Sequence, residues 1–135
     1  MKTSIDLHQL VECVGDAIIV ADANEKIVLW NPAATRIFGY LEEEALGNTL
    51  DLIVPERQRQ KHNEGYSHSM ETGTTRYGTS LLKVPAKHKD GSMLSIAFTV
   101  GMLFDASGKA NGVVAIIRDE TERFAQERAL KKRLS

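Results

Sequence analysis

The sequence predicts an α+β domain in which a five-stranded antiparallel sheet carries short helices on one face. Three observations lead to this fold class. Residues 16–31 contain two β-rich runs divided by a polar turn, and residues 76–118 contain three more strand-like runs. Residues 32–73, which lie between them, show the caps and apolar spacing of helices. An Asp-Gly pair within the second block is a hairpin signal and favours antiparallel neighbours.

The N-terminal part of the chain predicts a helix followed by a hairpin. Leu7, Leu10 and Val11 recur at helical spacing, so we expect a short amphipathic helix over residues 5–13. Residues 16–31 then supply the first two strands. The polar turn between the two runs sets where the hairpin reverses.

The middle of the chain predicts helices. Asn31 and Pro32 mark the start of the first, because asparagine is a good N-cap and proline suits the first helical position. Gly39 ends it after about two turns. Residues 42–46 predict another short helix. Residues 55–73 predict a longer helix that is almost entirely polar.

The C-terminal half predicts three strands and a helix. Strands are expected over residues 76–87 and 92–104, joined by a turn at 89–91, and over residues 112–118. From Thr121 the chain reads as a charged helix. In the predicted strand over residues 92–104, apolar residues alternate with small or polar ones, so one face is buried. The apolar members are Leu94, Ile96, Phe98 and Val100.

The overall composition limits the class of protein. The 135 residues suffice for one domain, and 42% hydrophobic with 26% charged residues is typical of globular proteins. A net charge of −1 predicts neither a nucleic-acid nor an anionic-membrane partner. No apolar run has the length of a membrane span, and the N-terminus lacks a signal-peptide pattern. The single cysteine, Cys13, excludes an internal disulfide and favours the cytoplasm.

No motif of a catalytic site is present, so we do not expect an enzyme. The sequence lacks a glycine-rich phosphate loop, a metal-ligand spacing of Cys or His, and a nucleophile elbow. Its function must then depend on binding to another, unidentified protein or on its own quaternary state. The apolar stripes of the two terminal helices predict a homodimer. The alternative is that each helix packs on its own sheet.

His62 is the main candidate for a functional residue. It lies in the polar helix, and the only apolar side chains there, Tyr66 and Met70, follow four and eight residues later. Residues at this spacing share one helix face, so a helix that packs on the core carries His62 inward. An inward-facing imidazole is either a hydrogen-bonded structural group or a ligand. The sequence pattern leaves both readings open.

Several stretches of the sequence resemble the PAS family of sensory domains. They are the opening strand DAIIVAD at residues 16–22, the strand-to-helix stretch VLWNPAATRIFGY at 28–40, the hairpin KDGS at 89–92 and the closing IRDETER at 117–123. The resemblance implies the PAS fold. It divides the chain into an N-terminal helix (1–14), a PAS domain (15–120) and a C-terminal signalling helix (121–135).

Residues 55–73 further resemble the heme-binding PAS domains of bacterial oxygen sensors. Counting back from Thr72-Gly73 places their axial histidine on His62, which implies heme b with His62 as the iron ligand. Their distal arginine is replaced here by Leu82, which favours carbon monoxide or nitric oxide over tightly held oxygen. The resemblance therefore implies a sensor of a diatomic gas or of redox state. Its implied cofactor-binding residues are His62, Tyr66, Arg76 (near the propionates), Ser80 (a weak donor), Leu82, Ile96, Phe98 and Val100.

Two alternatives remain open. In the first, the chain is a PAS module without a cofactor, and its role is dimerisation and protein–protein interaction in signal transduction. The other alternative is a non-covalent flavin near Trp30 and Asn31. A covalent flavin adduct is disfavoured because Cys13 precedes the first strand.

Overall fold

A computed structural model describes residues 4–134 of the chain. Its five strands form one antiparallel sheet in the order β2-β1-β5-β4-β3, which confirms the predicted fold class. The elements are α1 (Leu7–Cys13), β1 (Ala17–Asp22), β2 (Ile27–Trp30), α2 (Pro32–Phe38), α3 (Glu42–Ala45), 3₁₀ turns at Leu50–Leu52 and Glu56–Gln58, α4 (Arg59–Thr72), β3 (Leu82–Lys87), β4 (Met93–Phe104), β5 (Ala110–Asp119) and α5 (Thr121–Leu134).

The side chain of Asn31 connects the sheet with the first helices through hydrogen bonds. Its Oδ1 accepts hydrogen bonds from the backbone N–H of Ala34 at 3.1 Å and of Ile18 at 2.9 Å. Its amide donates to the carbonyls of Val11 and Asp16 at 2.9 and 3.1 Å. The side chain is fully buried, and all of its hydrogen-bonding capacity is used. The predicted N-cap therefore also fixes the end of α1 to the core.

Gly39 ends α2 in the left-handed conformation, with φ at 87°. A Cβ atom at this position would lie 2.5 Å from Cε1 of His88, so both the backbone angle and the space require glycine. His88 of the following hairpin is half-buried because its ring lies on Gly39.

The hydrophobic core lies between the sheet and α2 and α3. We call this side of the sheet the inner face. Residues paired directly across antiparallel strands point to the same side, so the inner face can be followed in rows. One row runs Ile19, Ala115, Val100, and the next runs Ala17, Ile117, Phe98, Leu82. The fully buried core includes Ala17, Ile19, Ile27, Trp30, Ala34, Phe38, Ala45, Ala86, Ile96 and Ile117.

The predicted strand over residues 76–87 is wrong in its first half. β3 begins only at Leu82, and residues 76–79 form a turn. Gly78 has a φ of 57°, its N–H donates to Oγ1 of Thr75, and the N–H of Ser80 donates to the carbonyl of Tyr77. These local bonds replace strand pairing over this stretch.

Both terminal helices form, as α1 and α5, but parts of the predicted terminal segments 1–14 and 121–135 lie outside the described residues at 1–3 and 135. The division into three segments stays a prediction. Within residues 4–134, no helix is both long and apolar enough to cross a membrane.

Candidate functional site

Tyr66 links α4 to the turn between β1 and β2 through a hydrogen bond. The hydroxyl of Tyr66 donates a hydrogen bond of 2.6 Å to the carbonyl of Asp22, the last residue of β1. Burial raises the pKa of Tyr66 well above its usual range, and the nearby carboxylates of Glu25 and Asp22 raise it further. The hydroxyl therefore stays protonated and remains a donor. Tyr66 was predicted as a cofactor-binding residue; in the structure its polar atom is used to hold α4.

Glu25 occupies a strained position in the same turn. Its φ is 65°, in the left-handed region that side chains other than glycine, asparagine and aspartate rarely adopt. The side chain of Asp22 shapes this turn by accepting the N–H groups of Asn24 and Lys26. The strained backbone is thus held by its surroundings, which is common where a side chain must be aimed at a partner.

The partner of Glu25 is His62. Nδ1 of His62 lies 2.9 Å from Oε1 of Glu25, and the side chains are 35% and 13% exposed respectively. The two atoms are buried and close, but they are not aligned as a hydrogen bond. His62 therefore faces the turn with Nδ1 and is half-buried rather than fully inward. Its ring lies 6.4 Å from that of Tyr66, which confirms that the two residues share one helix face.

This pair resembles the surroundings of metal-binding histidines in one respect, since a carboxylate oxygen lies 2.9 Å from the second ring nitrogen without being aligned as a hydrogen bond. Such histidines usually present their second ring nitrogen to a carboxylate or a carbonyl, which fixes the ring orientation and strengthens the ligand. Because Nδ1 of His62 lies beside Glu25, Nε2 is the ring nitrogen that would remain for a ligand. Sequence reasoning missed Glu25, because nothing in the sequence connects a turn residue with a histidine so far along the chain.

One end of the inner face is covered less well than the rest. The core cluster stops at Phe98 and Ala115, which are only partly buried. Beyond them the rows continue to further apolar residues that lie outside the cluster and are also partly buried. We call this region the open end, and it consists of Leu82, Val100, Met102 and Val113. α4 packs against β5 in the same half of the molecule.

Of the eight predicted site residues, His62 and Tyr66 lie on α4 at the β1–β2 turn, and the other six fall into three groups. Leu82, Phe98 and Val100 share the inner face at or beside the open end. Ile96 shares that face but is buried in the core cluster. Arg76 and Ser80 are exposed in and after the turn, where the guanidinium of Arg76 contacts the hydroxyl of Tyr77 at 3.1 Å. The structure therefore does not bring Arg76 or Ser80 to the inner face.

Two surface grooves lie elsewhere. The larger, of about 670 Å³, is an open groove along the polar face of α4, and the second, of about 370 Å³, lies beside α2. Neither is lined by any of the eight predicted residues. The open end is therefore a partly buried apolar region and is distinct from both grooves. The larger groove is lined by Gln60, Asn63, Glu64, Ser67, His68 and Glu71.

Trp30 and Asn31 do not offer the flavin contacts that were considered. The indole N–H of Trp30 donates to the hydroxyl of Thr35 and to the carbonyl of Tyr40, both at 3.1 Å. Both residues are about 1% exposed, and the polar atoms of Asn31 are already used within the fold. These two side chains serve the core.

The residues present fit a heme in two respects. His62 has the donor chemistry of an axial ligand, with a carboxylate behind the imidazole. The open end supplies partly exposed apolar side chains for a flat apolar ring system. Arg76 does not contribute a propionate contact in this conformation, because its guanidinium lies on Tyr77.

Comparisons with known proteins agree with this architecture. A family model described as the PAS fold matches residues 5–119. The oxygen sensor protein DosP of Escherichia coli K12 is 30% identical over 109 residues, which cover 81% of this chain and 13% of that protein. The sensor protein FixL of Bradyrhizobium diazoefficiens is 29% identical over 116 residues, which cover 86% of this chain and 23% of that protein. The chain thus spans less than a quarter of either relative.

Solved structures show the same fold. A PAS domain from Colwellia psychrerythraea superposes with a TM-score of 0.74 at 22% identity, covering 86% of this chain and 95% of that one. An RNA-binding light-oxygen-voltage receptor superposes with a TM-score of 0.73 at 20% identity, covering 93% of this chain and 35% of that one. At these identities the similarity concerns the fold alone.

Proposed function

The chain belongs to the PAS family of sensory domains in signal transduction, and from that premise we propose that it binds heme b through His62 and senses a diatomic gas (CO, NO or O₂) or redox state. The observation that carries the proposal is the contact of Nδ1 of His62 with the carboxylate of Glu25, on a helix beside the open end. Similarity to an oxygen sensor protein supports it. We place this role in the cytoplasm, since the one cysteine, Cys13, is free.

The protein's own residues would orient the ligand. Glu25, whose carboxylate lies 2.9 Å from Nδ1 of His62, would orient the imidazole, and Tyr66 holds the helix that carries it. Leu82, Phe98 and Val100 contribute an apolar surface that excludes water. When bound, heme supplies an iron centre that takes a gas molecule or changes its oxidation state.

The expected gas preference depends on Leu82. The resemblance implies an arginine at this position, and leucine offers no hydrogen-bond donor. Oxygen gains more than carbon monoxide or nitric oxide from a charge-assisted hydrogen bond. We therefore expect weak oxygen affinity and a preference for carbon monoxide or nitric oxide.

The signal would leave through the terminal helices. α1 exposes Leu7 and Leu10, and α5 exposes Phe124, Leu130 and Leu134. Exposed apolar side chains on two helices are suited to a homodimer or to docking on a downstream signalling protein. Since α4 is fastened to the β1–β2 turn, a movement of α4 would reach β1 and β5 of the sheet directly.

The test is titration of the purified protein with hemin, followed by absorption spectroscopy. The wild type should give a Soret band of a histidine-ligated heme, and His62→Ala should lose it. His68→Ala is the matched control, because His68 is exposed on the same helix. Added imidazole should restore the band in His62→Gly. Identical spectra of wild type and His62→Ala, with both variants folded by circular dichroism, would rule out the heme proposal.

A second candidate is a PAS module without a cofactor, which works by dimerisation and partner docking. One observation favours it: His62 and Tyr66 already contact the β1–β2 turn, as purely structural residues would. In that case hemin produces no histidine-dependent spectrum, and His62→Ala lowers only the stability of the fold. The same titration, combined with urea unfolding of the two variants, separates the candidates.

A further inference from the structure

β4 is longer than the strand beside it. It runs from Met93 to Phe104, but β3 pairs only with residues 93–98. On the side away from β5, residues 99–104 of β4 present a free edge. No backbone hydrogen bond from residues 4–134 reaches that edge. An unpaired edge with exposed N–H and C=O groups is a template for another extended segment.

The segment that precedes β3 is placed to occupy this edge. Gly73, at the end of α4, lies against Phe104, since a Cβ atom there would be 3.3 Å from Cε1 of the phenylalanine. Leu82 pairs with Phe98 at the other end. The β4 stretch between these points is about 20 Å long, and residues 73–82 can reach about 30 Å when extended. The segment therefore spans the edge with a few residues to spare.

The segment is held in its turn by few contacts. Residues 76–81 are all exposed. The described bonds are local: N–H of Gly78 to Thr75, N–H of Ser80 to Tyr77, and the guanidinium of Arg76 to the Tyr77 hydroxyl. Exposed hydrogen bonds of this kind exchange readily with water. The segment has no proline, and its tyrosine and threonine are good strand formers.

Continuing the register of β3 assigns each residue a partner and a side. With Leu82 opposite Phe98, Ser80 falls opposite Val100 on the inner face. Tyr77 falls opposite Leu103 on the other side of the sheet. The extension would therefore turn Ser80, now in solvent, toward the open end.

We propose that β3 extends to residue 77 along the free edge of β4 when a ligand fills the open end, so that the hydroxyl of Ser80 becomes the polar group facing that ligand. The role of heme as the ligand that triggers the extension rests on the proposed function. The ability of residues 77–81 to pair with β4 does not depend on heme. The four side chains of the open end carry no hydrogen-bond donor, and Ser80 would give it one.

Disulfide trapping tests the register without any ligand. In a Cys13→Ser background, Tyr77→Cys with Leu103→Cys would be direct cross-strand neighbours, about 5 Å apart at Cα and within disulfide range. Tyr77→Cys with Thr99→Cys is the matched control, about 13 Å apart in the same register. We expect the first pair to oxidise at least about tenfold faster, because only its register permits the bond. Equal rates would overturn the proposal.

Hydrogen exchange tests the trigger. Hemin should slow exchange at the β4 amides between residues 99 and 103 that point away from β5, by about tenfold or more. The amides of β3 at 83–87 are the internal control and should change little. A histidine-dependent Soret band without slower exchange at 99–103 overturns the proposal. Absence of the band defeats the heme function instead, and disulfide trapping still decides the register.

The role of Ser80 has its own readout. In the hemin-loaded, reduced protein, Ser80→Ala should shift the stretching frequency of bound carbon monoxide, because the frequency responds to a nearby donor. Thr79→Ala should not, because the extended register places Thr79 on the other side of the sheet. Equal frequencies in wild type and Ser80→Ala would show that Ser80 does not reach the ligand.

Discussion

The inner face of the sheet is closed at one end and open at the other. At β1 and β2, Ile19, Ile27 and Trp30 are buried beneath α2 and α3. At β3 and β4, Leu82 and Val100 occupy the same rows but are only partly buried. The inner-face positions named here are apolar at both ends, so their composition does not explain the difference. What differs is the covering element: α2 and α3 bury Ala33, Ala34, Phe38 and Ala45, whereas α4 is polar, buries only Tyr66 and is held at the β1–β2 turn.

This comparison teaches that an apolar residue indicates a face of the sheet but does not indicate what covers it. Burying apolar surface stabilises a fold by roughly 25 cal/mol per Å². At the open end the protein alone does not gain all of this stabilisation, because part of the apolar surface stays exposed. A molecule that covers the open end would add the missing part. The open end is therefore where a ligand can add most to stability.

The largest expected effect on the free energy of unfolding comes from replacing a phenylalanine at the closed end, compared with one at the open end. Phe38 is fully buried in the closed end, so Phe38→Ala should lower the free energy of unfolding by about 3–5 kcal/mol. Phe98 lies at the margin of the core, so Phe98→Ala should cost only about 1–2 kcal/mol. Urea unfolding measures both. Similar losses for the two variants would show that the open end is as well packed as the closed end.

The next effect comes from enlarging residues within one row. Ile19 and Val100 lie at opposite ends of the row through Ala115. Ile19→Phe should cost about 1–3 kcal/mol because the closed end has no space for a ring. Val100→Phe should change stability by less than about 0.5 kcal/mol. It should also weaken hemin uptake by filling the open end. A large cost at Val100 would contradict the comparison.

The smallest effect concerns the attachment of α4. Tyr66→Phe removes the hydrogen bond to the Asp22 carbonyl and should cost about 1 kcal/mol at neutral pH. Because the folded state raises the pKa of Tyr66 above its ordinary value of 10.0, this stabilisation is full below pH 10 and is lost as the pH rises further. The difference between wild type and variant, from urea unfolding at pH 7 to 11, should shrink above pH 10. A difference that does not change with pH would exclude this role for the hydroxyl.

Much of the fold was predictable because its signals are local. The two ends of α2 lie where the sequence predicts them, at Asn31-Pro32 and at Gly39. Both are predictable because capping and left-handed termination depend on neighbouring backbone groups. The face shared by Phe98 and Val100 follows from the period of two in β4. The start of β3 was not predictable, because strand residues such as Tyr77 and Thr79 have no pairing in the structure and the turn at Gly78 forms instead.

The sequence by itself determined the elements, the antiparallel sheet, and the face on which His62 lies with Tyr66. Periodicity and caps act over a few residues, so one chain segment contains the information. Only the tertiary structure decided that Glu25 meets His62, that Arg76 and Ser80 stay in solvent, and that one end of the inner face is left open. These outcomes depend on which distant segments come together, and on the competition between pairing and local turns.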